Sequence, residues 1–175
     1  MHMSDVGAQV LDARRTSVVQ DFAASELFDR TFQEGMELVE ETAAYLDGAG
    51  RHESKRLSRS AALAYASESM RLTTRLMQMA SWMLVQRAVR EGQMAPADAC
   101  NDRYRIASDL FKAQASVQPD RLPIGLLTLL ERAGRLYERV LHLDRRMYLE
   151  PPADADSHPV QVQHDRLEAA FGGQA

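Results

Sequence analysis

Few side chains in this sequence can do chemistry at neutral pH: five histidines, His2, His52, His142, His158 and His164, and one cysteine, Cys100. A histidine can exchange a proton or give a ring nitrogen to a metal, and a cysteine attacks once a neighbour lowers its pKa. Spacing decides whether they do either. No two histidines stand one helical turn apart, no HExxH string occurs, and no Glu-x-x-His sets a carboxylate beside an imidazole as a carboxylate-bridged iron site needs. Cys100 has only Arg103 and Arg105 nearby in sequence, so a passive thiol is expected. His142, between Leu141 and Leu143, reads as a structural or exposed histidine. Glu40 and Glu41, and Glu68 one turn from Arg71 and Arg75, read as surface charge and helix pairing. Arg145 and Arg146 suit the negative end of a helix dipole. Gly48-Ala49-Gly50 lacks the lysine and spacing of a phosphate loop. The expectation is a chain with no catalytic, metal or cofactor site.

Composition narrows the function classes in the same direction. The 175 residues carry 21 Lys and Arg against 25 Asp and Glu, a formal charge of -4, which argues against nonspecific binding to nucleic acid. Apolar residues make up 45% of the chain but aromatics only 6%, and the surplus lies in Ala, Leu and Met, which favour helices over strands. No apolar run approaches the ~20 residues of a membrane span. Met1 to Leu11 offers neither a secretory h-region nor a clean amphipathic transit pattern, so a cytoplasmic protein without membrane insertion is expected.

The elements that would position any site are long helices. Residues 1–22 carry Val6, Val10 and Leu11 too sparsely to fill a helix face and read as a flexible N-terminal arm. Ser25 is a plausible N-cap for a helix with the apolar row Phe28, Phe32, Met36, Val39, Ala43 and Leu46, closed by Gly48 and Gly50. Arg51 to Ser60 is a charged connector. A helix without internal Pro or Gly then runs from about Ser60 to Glu91 and stops at Gly92. Residues 93–120 form an irregular connector in which Pro96 suits a helix first turn. Beyond Asp120 and Pro123, Leu126, Leu127, Leu130, Tyr137, Val140, Leu141 and Met147 define a third helix ended by Pro151 and Pro152. Residues 151–175 read as a disordered C-terminal tail. The fold class is therefore all-α, an antiparallel three-helix bundle over residues 23–150.

Two features rise above this background. The middle helix carries one apolar row through Ala62, Tyr65, Ser69, Leu72, Leu76, Met79 and Met83, and a second through Leu63, Met70, Met77 and Leu84. So wide an apolar arc exceeds what two other long helices cover, and it predicts a homodimer with Tyr65, Leu72, Leu76, Met79 and Met83 divided between core and interface. Methionine adapts to irregular space, which suits a core and a binding face alike. The tail supplies the second feature: Leu167 and Phe171, with Ala169 and Ala170, have the form of a tethered partner-binding motif or of an inert end.

The strings FDRTFQEGMELVEETAAYLDGAG (Phe28–Gly50) and YASESMRLTTRLMQMASWMLVQRAVREG (Tyr65–Gly92) resemble the hallmark helices of the RcdA family, the alphaproteobacterial regulators of CtrA degradation. The resemblance covers about 65 residues closely, and beyond Met94 only in general plan. It implies a homodimeric three-helix bundle that acts as a noncatalytic adaptor for the ClpXP protease. In that scheme a CpdR-like response regulator primes ClpX, and the adaptor recruits protein substrates or secondary adaptors so that cell-cycle regulators are degraded. A helical dimeric scaffold for signalling proteins, without a role in proteolysis, is the alternative.

Overall fold

Ser25 caps its helix as its position suggests: its hydroxyl accepts the Phe28 N–H at 3.2 Å, and Glu26 and Asp29 place negative charge in the first turn. The computed structural model describes residues 3–106 and 122–148, with side chains from residue 9 onward. Within them the chain forms α1 (Met3–Ala23), α2 (Glu26–Asp47), α3 (Ala49–Ser54), α4 (Arg59–Arg90), α5 (Pro96–Ala99), a 3-10 turn at Asp102–Tyr104 and α6 (Ile124–Tyr148). The fold is all-α, with no strand among the described residues.

Side-chain pairs fix how the long helices run. Asp29 on α2 meets Arg90 on α4, while Gly50, just beyond the other end of α2, lies under Tyr65, so α2 and α4 are antiparallel. On α6, Arg139 reaches Glu34 and Arg132 reaches Glu41, so α2 is antiparallel to α6 as well. α4 and α6 therefore run the same way, as Arg75 over Tyr137 and Trp82 beside Asp144 confirm. Two parallel neighbours cannot be joined by a tight turn. Gly92, at φ 70°, adopts the left-handed conformation that ends α4.

The reading of residues 1–22 as a flexible arm is corrected. Residues 3–22 belong to α1, whose Val19 and Ala23 are wholly buried, and Phe22 sets its ring edge-on to Phe28 at 5.8 Å and against Trp82 at 5.7 Å. The buried apolar groups described on α1 lie in its last turns, while Val10 and Leu11 are exposed, so the helix is held by tertiary packing rather than by a full amphipathic face. On α2 the buried centre runs through Phe28, Thr31, Gly35, Leu38 and Thr42, rotated from the expected row, and Ala43 is exposed. The rotation follows from α2 packing on α4 and α6 together. At Gly35 a Cβ would overlap the Met83 thioether, so the glycine admits α4 closely. Gly50 does not stop the chain; it lies inside α3, buried against the Tyr45 and Tyr65 rings.

Candidate functional site

Tyr65, Leu72, Leu76, Met79 and Met83 all lie inside this chain's own core, packed with Leu38, Leu129, Leu136 and Val140. The surplus row behaves oppositely. Leu63, Met70, Met77 and Leu84 are 67%, 73%, 65% and 53% exposed, among the most exposed large apolar side chains of the described residues. Spaced seven residues apart, they form a nearly straight stripe about 30 Å long at 1.5 Å per residue.

The residues flanking the stripe are small: Ala66, Ser67, Thr73, Thr74, Ala80 and Ser81. Their polarity is partly turned inward, since Thr73 donates its hydroxyl to the Ser69 carbonyl and Thr74 to that of Met70, each at 2.9 Å. Both threonines are exposed with their hydroxyls so engaged. An apolar ridge with small shoulders on a straight helix is the geometry that admits another helix at close range.

Behind this face lies a polar centre that joins α4, α6 and the connector. Asp144 is fully buried; its Oδ1 accepts the Trp82 indole N–H at 3.0 Å and its Oδ2 pairs with Arg105 at 3.2 Å. Burial pushes the Asp144 carboxyl up, opposed by the Trp82 bond and the Arg105 charge. Gln86 donates to the Tyr148 hydroxyl at 3.3 Å, and that hydroxyl donates to the Ala99 carbonyl at 3.1 Å. Burial pushes the Tyr148 phenol up to about 12, so it stays a neutral donor. Arg105 lies over the Tyr148 ring at 5.4 Å. Both Asp144 oxygens are engaged, so the carboxylate anchors the connector to the bundle. Sequence reasoning missed this centre, although Asp144 stands in the α6 apolar stripe between Val140 and Met147, where a surface acid does not belong.

Other expectations resolve locally. Glu68 is buried, not surface charge, and pairs with Arg71. Arg105 and Arg103 are turned toward Asp144 and the Tyr104 ring, while burial raises the half-buried Cys100 thiol and Arg15 opposes that rise. His142 is exposed, and no group of three potential metal ligands occurs among the described residues. Leu167 and Phe171, like His158, His164, Leu110 and Phe111, lie outside the described residues. No described helix is long and apolar enough to cross a membrane.

A groove of about 400 Å³ opens beside the stripe, between α4 and residues Arg103–Ile106. Met77, Trp82, Val85 and Ile106 give it an apolar wall, and Gln78, Arg103 and Arg105 a polar one.

A family described as "Protein of unknown function (DUF1465)" matches residues 19–171. The crystal structure of RcdA from Caulobacter crescentus CB15 is similar at 69% sequence identity and a TM-score of 0.62, over 75% of this chain and 98% of that one. No curated protein sequence matches the chain.

Proposed function

Since the chain belongs to the RcdA family, the DUF1465 proteins, we propose that it is a noncatalytic adaptor in regulated proteolysis, linking substrates or further adaptors to a ClpXP protease primed by a CpdR-like response regulator. The observation that carries this reading is the exposed Leu63, Met70, Met77 and Leu84 row, a binding surface 30 Å long by the helical rise and built without reactive groups. On it a second copy packs α4 against α4, giving a homodimer in which Tyr65, Leu72, Leu76, Met79 and Met83 support the interface from within each core.

The physical mechanism is effective concentration. Holding a weakly bound substrate beside the protease pore makes capture nearly intramolecular, so two modest affinities suffice where the geometry allows both contacts. A dimer doubles the number of sites, and the tail residues Leu167 and Phe171 add a tether for cargo. The working compartment is the cytoplasm, where ClpXP and the response regulator operate. Degradation of candidate cargo by primed ClpXP, measured with and without this chain, separates the adaptor from a scaffold of signalling proteins: an adaptor accelerates cargo loss and a scaffold leaves it unchanged.

A further inference from the structure

Two polar atoms in the wall of the groove are buried without a hydrogen-bond partner among the described residues: Arg105 Nε and Gln78 Oε1. Both belong to residues that line the groove, and a carboxylate suits the arginine. Arg103 adds an exposed cation at the rim, with Met77, Trp82 and Val85 as an apolar floor. The occupant so described is a short amphipathic segment with acidic side chains and one or two large apolar ones.

The chain holds such a segment and releases it at the right place. α6 ends at Tyr148, whose ring lies under Arg105, a groove residue, so everything after Tyr148 starts from the groove's edge. Residues 149–175 carry five acidic side chains against the single Arg166. Their one dense apolar patch sets Leu167 and Phe171 four apart with Asp165 and Glu168 between or beside them. Four apart is one helical turn, which aims both apolar side chains the same way. The 17 residues from Tyr148 to Asp165 reach about 20–25 Å as a random coil, ample for returning to a groove that begins one side chain away.

We propose that the groove between α4 and Arg103–Ile106 is a docking site for this chain's own residues 165–171, with Leu167 and Phe171 against Trp82, Val85 and Ile106, and Asp165 and Glu168 facing Arg103 and Arg105. Docked, the tail is in its resting position, and any partner that takes Leu167 and Phe171 must displace it. The inference does not depend on the adaptor reading, since it concerns contacts within one chain.

Cross-linking in the full-length chain tests it. With Cys100→Ser, a cysteine is placed beyond the patch by Gly173→Cys and another in the groove by Ser81→Cys; a reference chain carries Glu37→Cys on the exposed face of α2 instead. Under mild oxidation the Ser81→Cys chain is expected to close an intrachain disulfide roughly tenfold faster than the reference chain, the gain that a docked tail confers in effective concentration. Leu167→Ser with Phe171→Ser should abolish that advantage. Arg103→Glu should reduce it, and adding Glu168→Arg should restore it. Equal rates for the two chains, or an advantage indifferent to the serine pair, would overturn the proposal. So would a covalent dimer joined between Gly173→Cys of one copy and Ser81→Cys of another, identified by peptide mapping, because the tail would then reach a second copy.

Discussion

Trp82 on α4 donates its indole N–H to Asp144 on α6 at 3.0 Å, and this bond joins the two parallel helices where the connector packs across them. The carboxylate is fully buried and carries Arg105 on its other oxygen, so its protonation is coupled to the stability of the whole connector end. Removing one partner of a buried ionic pair costs about 3–5 kcal/mol. Asp144→Ala should fall in that range and release residues 99–106 from the bundle. Amide hydrogen exchange at those residues, beside urea unfolding, checks both parts.

The pH dependence has a definite sign. Burial raises the Asp144 carboxyl above its ordinary value of 3.8, so between the ordinary and the raised value the folded state holds a proton that the unfolded state has lost. Its contribution to stability is full below 3.8 and declines as pH rises through the raised value. Asp144→Asn removes this titration. The stability of Asp144→Asn relative to the natural chain should therefore rise with pH across that window, in urea titrations from acid to neutral pH.

Tyr45 lies between two glycines. A Cβ at Gly125 would stand 2.5 Å from its Cε2, and one at Gly50 would stand 2.6 Å from its Cε1. A ring cannot fold away as a methionine tail can. Gly50→Ala and Gly125→Ala should each cost about 1–3 kcal/mol by overpacking. Gly134, also in α6, has nothing within 4 Å of the position of its Cβ, so Gly134→Ala should stabilise by about 0.5–1 kcal/mol. Thermal melts of the three variants check the contrast.

Leu76 and Met77 are sequence neighbours with opposite fates, 4% and 65% exposed. Leu76→Asp buries a carboxylate without a partner and should unfold or nearly unfold the chain, a loss of several kcal/mol. Met77→Asp should keep the helix content and weaken self-association. Circular dichroism and sedimentation equilibrium on both variants separate core from surface.

How much of this was legible in the residues depended on how local the cause is. α2, α4 and α6 announce themselves because each repeats apolar residues over many turns between capping residues, and the doubled apolar arc of α4 was visible as a surplus. α1 was not, since Val19, Phe22 and Ala23 supply barely two turns of face, and what holds them is Phe28 and Trp82 from other helices. Which of the two α4 rows faces inward was also hidden, because both are apolar and only packing against α2 and α6 distinguishes them. The parallel course of α4 and α6 depends on the connector, whose length was visible but whose path was not. Asp144 was legible in principle from its place in the α6 stripe, yet its partners Trp82 and Arg105 come from segments far away in sequence.

The measurement closest to the central claim is the rate of cargo loss in a reconstituted mixture of ClpXP, its priming response regulator, a candidate cargo and this chain, run with the natural sequence and with Met70→Glu plus Met77→Glu. The adaptor account predicts acceleration only when protease, primer and natural chain are all present, and its loss in the double variant while helix content is unchanged. Cargo degraded at one rate with the natural chain, with the variant and with neither would contradict it.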